Sequence, residues 1–103
     1  MSKIAVIAKL TARSGRRDDL VEALAPLSEA VEGEEGTQVY AVHLDAGDAD
    51  VVWFYELYTD QDALAAHSGS EAMKAAGGAL GELLAGAPEI TLLSPVRAKG
   101  IAF

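Results

Sequence analysis

The 103-residue chain contains no cysteine, so it can form neither a disulfide nor a thiolate nucleophile. No apolar run approaches the roughly 18 residues that a membrane-spanning helix needs, and the N-terminus lacks the apolar stretch of a signal peptide. Basic residues are scarce, 8 against 16 acidic ones, and the formal charge of −8 would repel a nucleic acid. We therefore expect a cytoplasmic protein with no membrane or nucleic-acid partner.

Apolar residues make up 50% of the sequence, enough to build a core. They occur in short runs with no linker or repeat between them, which predicts a single domain over residues 1–103. Two β-branched or aromatic runs, 4–11 and 51–58, indicate strands, and 37–45 indicates another. A turn at 46–50 joins the strand 37–45 to the strand 51–58 as an antiparallel hairpin.

In the segments between these strands, apolar residues recur at the spacing of a helix. Leu20, Leu24, Leu27 and Val31 form one apolar stripe within a helix predicted over 16–31, where Pro26 predicts a kink or a break. A short helix over 60–67 precedes a second helical segment that Ser70 can cap, and a final strand is expected over 90–98. The order β-α-β-β-α-β predicts an α+β, ferredoxin-like domain, with both helical regions on one face of an antiparallel four-stranded sheet.

The third predicted strand is too apolar for either of its faces to meet water. Its side chains alternate between the set Trp53, Tyr55, Leu57 and the set Val52, Phe54, Glu56, Tyr58. The helices can cover only one set. We therefore expect a second copy of the chain to cover the other, giving a homodimer.

Three stretches of the sequence together resemble the antibiotic biosynthesis monooxygenase family, which includes cofactor-free quinol and anthrone oxygenases. They are "LTARSGRRDDLVEAL", "EEGTQVYAVHLD" with its Glu-x-Gly-x-x-x-Tyr pattern, and "VWFYELYTDQDALAAHSGSEAM". The resemblance implies a dimeric α+β barrel with a pocket between the sheet and the second helical region. Haem-degrading enzymes share this barrel, but the Asn that they need on the first strand has no counterpart in 4–11.

The resemblance implies a cofactor-independent monooxygenase that oxidises quinols, anthrones or similar electron-rich aromatics with O₂. Two alternatives stay open: a non-catalytic dimer that binds a small ligand, and an isomerase of a small phosphorylated ketone. The chain carries no nucleotide-binding glycine loop and no metal-ligand spacing, so neither a cofactor nor a metal is expected.

His67 and Glu56 are the candidate catalytic residues. His67 follows Ala63 and Leu64 on the inward edge of the short helix, where it could deprotonate a phenolic substrate or simply bond a backbone group near Ser68. Glu56 is the only charged residue within its strand, and a buried carboxylate needs a partner. It could orient the imidazole, or it could serve only in a structural salt bridge or hydrogen bond, across a dimer or to a nearby backbone amide.

Aromatic side chains are the candidates for holding a flat substrate: Phe54, Tyr58, Trp53 and Tyr40. Most aromatic residues pack in cores or dimer interfaces, so the same four have a structural interpretation. His43 is a weaker candidate, expected near a strand edge. Three arginines, Arg13, Arg16 and Arg17, cluster at the first turn, where they are either solvated or available to an anionic group of a substrate.

Overall fold

The computed structural model of the chain describes residues 2–103. Its elements in chain order are β1 (Ile4–Thr11), α1 (Arg17–Val31), β2 (Thr37–Leu44), β3 (Val51–Tyr58), α2 (Gln61–Ser68), α3 (Glu71–Leu80) and β4 (Glu89–Leu93). The predicted ferredoxin-like order is confirmed, and the second helical region consists of two helices. The break between them comes where Ser70 caps α3, its hydroxyl accepting a hydrogen bond from the Met73 amide at 3.2 Å.

The four strands form one sheet in the order β2-β3-β1-β4, and every neighbouring pair is antiparallel. The two most apolar strands, β1 and β3, therefore occupy the centre. Glu56 of β3 lies between Val6 of β1 and Tyr40 of β2 in this register. Since directly paired residues point to the same face, all three side chains project toward the helices.

The helices cover the face of the sheet that carries Val52, Phe54, Glu56 and Tyr58. Phe54 is buried beside Ala8, its partner on β1, and the α1 stripe predicted from the sequence packs onto this layer. Each leucine buried in the stripe contributes about 1.5–3 kcal/mol. The choice of face places the only acidic residue of β3 between the sheet and the helices.

Pro26 does not divide the first helix into two, because α1 runs without interruption from Arg17 to Val31, as the single predicted element requires. The proline removes one backbone donor, which leaves the carbonyl of Glu22 without its helical partner. Both Pro26 and Glu22 are exposed, so water can satisfy that carbonyl. The apolar stripe on the opposite side of the helix is undisturbed.

The last strand is shorter than the predicted 90–98, because β4 ends at Leu93. Pro95 follows two residues later, and a proline has no amide hydrogen to continue the ladder with β1. All five residues of β4 are exposed, which leaves an open edge on the sheet. No helix in residues 2–103 has both the length and the apolarity required to cross a membrane.

Candidate functional site

His67 is a buried residue in the last turn of α2. Only 4% of its surface is exposed, and its ring lies between the rings of Tyr40 and Tyr58, with centroid distances of 5.4 and 5.5 Å. Asp60 starts the helix by accepting a hydrogen bond from the Ala63 amide at 2.8 Å, and Gly69 ends it. The imidazole is thus held by a capped helix on one side and aromatic side chains on the other.

Glu34 is the hydrogen-bond partner of this imidazole. The His67 Nδ1 atom lies 2.9 Å from Glu34 Oε1, which also accepts a hydrogen bond from the Thr37 hydroxyl at 2.8 Å. The expectation that Glu56 orients His67 directly is therefore wrong: the orienting carboxylate comes from the loop between α1 and β2. Since a carboxylate oxygen accepts hydrogen bonds, this contact suits the ring tautomer that carries its hydrogen on Nδ1 and its lone pair on Nε2.

Gly36 allows this contact. A Cβ atom at position 36 would lie 2.4 Å from the Cβ of Ala63, so a side chain there would push α2 away from the loop. Ala63 and His67 lie one helical turn apart on the same side of α2. The missing side chain therefore lets α2 approach closely enough for His67 to reach Glu34.

Glu56 is buried, with 7% of its surface exposed, and it pairs with a tyrosine. Its Oε1 accepts a hydrogen bond from the Tyr58 hydroxyl at 2.5 Å. Burial raises the pKa of the Glu56 carboxyl, while the Tyr58 hydrogen bond and nearby His67 act in the opposite direction. Burial also raises the pKa of Tyr58, and the bond to Glu56 adds to it. The pair thus couples a protonated phenol to a carboxyl that resists ionisation.

A cavity of about 450 Å³ lies between the sheet and the helices, within the range of known ligand sites. His67 and Glu56 both line it, as do Tyr40 and Phe54, whose rings are 5.4 Å apart. The rest of the lining is almost wholly apolar, and none of its residues is a lysine or an arginine. Such a cavity suits a neutral, largely apolar ligand that offers a hydrogen-bonding group.

Helix α3 forms one wall of the cavity. Its side toward the cavity consists of Met73, Ala76, Gly77 and Leu80, positions that helical spacing places on one stripe. A Cβ atom at Gly77 would meet nothing within 4 Å, so the glycine leaves open space. Ile90 of the edge strand β4 is 63% exposed although it lines the cavity, which shows that the cavity opens to solvent on this side.

Polar groups of the cavity keep free hydrogen-bonding capacity. Within residues 2–103, no side-chain nitrogen or oxygen is both buried and without a hydrogen-bond partner. His67 Nε2 and Glu56 Oε2 bond to none of these residues, so neither atom is fully buried, and both residues line the cavity. Burial, followed by the carboxylates of Glu56 and Glu34, raises the pKa of Tyr40, which keeps its hydroxyl protonated as a donor.

The candidate site residues divide between the cavity and other places. His67, Glu56, Phe54 and Tyr40 line the cavity together. Tyr58 is fully buried behind them, where its ring supports His67 and its hydroxyl binds Glu56, so it is not among the residues that line the cavity.

Trp53 lies on the opposite face of the sheet, away from the cavity, so its predicted contact with the substrate does not hold within this chain. Strand alternation separates it from Phe54, and its indole donates to Asp45 Oδ1 at 2.7 Å. The Asp48 amide, this indole and the Gly47 amide lower the pKa of Asp45 to about 2. Trp53 thus has a structural role at the β2–β3 hairpin.

The weaker candidates also lie away from the cavity. His43 is exposed and pairs with Trp53 across the β2–β3 ladder, on the face without helices. Arg16 pairs with Asp19 at 2.6 Å, and Arg17 donates to the backbone carbonyls of the β2–β3 hairpin. Arg13 is exposed and does not line the cavity. In residues 2–103, no three side chains of His, Asp or Glu lie close enough to hold a metal ion.

Glu34 is a polar residue of the site that was not among the candidates from the sequence. The signal was present, because Glu34, Gly36 and Tyr40 are the fixed positions of the Glu-x-Gly-x-x-x-Tyr pattern. In the structure Glu34 bonds His67, Gly36 admits α2, and Tyr40 packs against the imidazole. The three fixed residues of the Glu-x-Gly-x-x-x-Tyr pattern, which precedes and enters β2, therefore also form one side of the site.

The fold and the cavity define a small α+β protein that brings an imidazole and a carboxyl group to an apolar binding site. Residues 3–78 match the antibiotic biosynthesis monooxygenase family, and the chain belongs to that family. No protein of curated function matches it significantly. Membership indicates a monooxygenase-like or small-molecule-binding function.

Solved structures agree with this assignment. A Caulobacter crescentus protein that carries the family's name is 33% identical, covers 93% of this chain and 92% of its own, and superposes with a TM-score of 0.88. Rv0793 from Mycobacterium tuberculosis is 29% identical over 94% of this chain and 98% of its own, with a TM-score of 0.86. A Chloroflexus aurantiacus protein is 26% identical over 98% of this chain and all (100%) of its own, with a TM-score of 0.82.

Proposed function

We propose that the protein is a cofactor-independent monooxygenase that oxidises quinols, anthrones or similar electron-rich aromatics with O₂. The observation that carries the proposal is the position of His67, a buried imidazole with one nitrogen on a carboxylate and the other open to an apolar cavity. A base in this setting can take a proton from a hydroxyl group or an activated carbon. Phe54 and Tyr40 supply flat apolar surface for the ring system.

For an anthrone, the reaction begins when His67 Nε2 removes a proton from the ring CH₂ group. The resulting anion gives one electron to O₂, and the two radicals combine to form a carbon–oxygen bond. The imidazolium returns its proton to the terminal oxygen, producing a hydroperoxide. Loss of the remaining C–H proton with cleavage of the O–O bond then leaves a carbonyl and water. One atom of O₂ enters the product, and the substrate supplies both electrons that reduce the other atom.

The cavity's charge distribution favours a neutral substrate. Glu56 and Glu34 lie near His67, while no lysine or arginine lines the cavity. An anion formed there is stabilised by the imidazolium and by the neutral hydroxyl of Tyr40. A phosphorylated ketone would bring two negative charges beside these carboxyl groups, so the isomerase alternative gains no support.

A second copy of the chain is the proposed partner on the face of the sheet without helices. Ile7 and Leu93 on this face are 36% and 38% exposed, and Trp53 and Tyr55 are partly buried. An exposed layer of this kind marks an interface more often than a free surface. A homodimer would bury it and leave each cavity, on the opposite face, accessible to substrate.

Oxygen uptake with a panel of quinols and anthrones tests the proposed reaction. We expect the wild-type protein to consume O₂ with at least one of them, and His67→Ala to lose about 10²–10⁴-fold in kcat, the usual contribution of a positioned base. His43→Ala is the matched control, because it removes the other histidine from an exposed site. Equal rates for wild type and His67→Ala would contradict the role of His67. Ligand binding without O₂ uptake across the panel would favour the non-catalytic alternative.

A further inference from the structure

Glu34 reaches the site from outside every helix and strand. It lies in the loop between α1 and β2, 33 residues before His67, yet its carboxylate meets Nδ1 at 2.9 Å. The Thr37 hydroxyl donates to the same oxygen, which fixes the direction of the carboxylate. The two side chains of the contact are 5% and 22% exposed, so water screens their interaction only partly.

The loop that carries Glu34 is held by its backbone as well as by the bond between the Glu34 and Thr37 side chains. Backbone hydrogen bonds hold it: the Glu34 amide donates to Val31, the Thr37 amide donates to Glu34, and the Thr59 amide donates to Gly36. Replacing the carboxylate therefore leaves these backbone bonds in place. An effect of such a replacement on His67 would come from the side-chain contact itself.

Other groups around the imidazole cannot replace Glu34. The rings of Tyr40 and Tyr58 flank His67, and both have raised pKa values, so they remain neutral. The Tyr58 hydroxyl is already committed to Glu56, whose carboxyl makes no hydrogen bond to His67 within residues 2–103. Within this part of the chain, Glu34 is the group in hydrogen-bonding contact with a ring nitrogen of His67.

We propose that Glu34 is the positioning residue of the site: it holds His67 as the Nδ1–H tautomer, so that Nε2 presents its lone pair to the cavity, and it stabilises the imidazolium that forms when a proton is taken up. The proposal rests on the proposed function. A ring in the other tautomer would present an N–H to the substrate and could not accept the proton. A carboxylate bound to the far nitrogen both prevents that and offsets the positive charge.

Nitrogen-15 NMR of the histidine rings reads the tautomer directly. The chain has only two histidines, and the exposed His43 serves as an internal reference. We expect His67 in the wild type to carry its hydrogen on Nδ1 at a pH where the ring is neutral. Glu34→Ala should shift the population toward Nε2–H, whereas Glu34→Gln should preserve Nδ1–H because the amide oxygen still accepts. Glu35→Gln, a neighbouring exposed site, removes the same charge and should change nothing.

Turnover of a substrate from the oxygen-uptake panel provides the second measurement. Glu34→Ala is expected to lower kcat at least about tenfold, a part of the 10²–10⁴-fold that positioned proton transfer provides. KM should change less than about twofold, because Glu34 does not line the cavity. Glu34→Gln should recover part of kcat, since it restores orientation without charge.

The two readouts separate the two proposals. Nε2–H in the wild type, or an unchanged Nδ1–H signal in folded Glu34→Ala, would overturn the role of Glu34 whatever the activity. Should Glu34→Ala not fold, the wild-type tautomer and the Glu34→Gln spectrum still decide. The expected tautomers without oxidation of any quinol or anthrone would support Glu34 as the positioning residue and contradict the monooxygenase proposal alone.

Discussion

Replacing Gly36 with alanine tests how the site is assembled. The new Cβ atom would lie 2.4 Å from the Cβ of Ala63, whereas ordinary contacts begin at 3.4 Å, so the two must separate by about 1 Å (3.4 − 2.4). The obstacle is the short side chain of a helical residue, which cannot rotate away. Helix α2 and the loop must therefore move apart, and we expect the 2.9 Å contact between His67 and Glu34 to lengthen by up to about 1 Å, beyond hydrogen-bonding distance.

Overpacking of this kind costs about 1–3 kcal/mol of unfolding free energy, and each kcal/mol lowers Tm by about 4–8 °C in a domain of this size. Gly33→Ala is the matched control from the same loop, because its Cβ would meet only an ordinary 3.6 Å contact and its φ is not positive. Thermal unfolding and the His67 ring spectrum measure the two effects. The reasoning fails if Gly36→Ala and Gly33→Ala have the same Tm and both leave the His67 spectrum unchanged.

Three further predictions concern the carboxyl group, the cavity and the dimer. Burial raises the pKa of Glu56 above 4.5, so the native state holds its proton more tightly than the unfolded state and stability falls as pH rises through the native pKa. Glu56→Gln, which has no such proton, should gain stability relative to wild type as pH rises above about 4.5 toward 7; a pH-independent difference in urea unfolding would contradict this. Gly77→Leu should fill the cavity and weaken the binding of a quinol, with Kd rising tenfold for each 1.4 kcal/mol of binding free energy lost. Gly78→Leu is the control, because Gly78 does not line the cavity. Equal quinol affinities for the two variants would contradict the position of Gly77 in the cavity wall. In sedimentation the 10.7 kDa chain should run as a dimer that Ile7→Glu dissociates and Leu44→Glu, on the other face of the sheet, does not; a wild-type monomer would rule the dimer out.

Local patterns in the sequence were sufficient to predict most of the fold. The β-branched and aromatic runs indicated the strands, and Ser70 marked the start of the last helix because an N-cap is a property of a few adjacent residues. The prolines were harder to interpret, because Pro26 leaves its helix unbroken whereas the strand before Pro95 ends early. A proline has no backbone N–H, so one carbonyl group loses its hydrogen-bond donor. The effect depends on whether that carbonyl faces water, as in an exposed helix, or belongs to a neighbouring strand.

The site was predictable in part. The sequence directed attention to His67 and Glu56, since a histidine and a lone acidic residue stand out in apolar elements. Their partners were less accessible, because the contact of His67 with Glu34 spans 33 residues and depends on a close approach at Gly36. Strand alternation separated Trp53 from Phe54, but it could not say which of the two faces the helices cover.

A crystal structure of the protein with a hydroxylated polycyclic aromatic, diffused in under anaerobic conditions, would test the central claim most directly. The account predicts that the ring system lies in the cavity against Phe54 and Tyr40, with its hydroxyl about 2.6–3.2 Å from His67 Nε2. A ligand bound with its hydroxyl away from Nε2, or a cavity that stays closed to such ligands at saturating concentration, would contradict it.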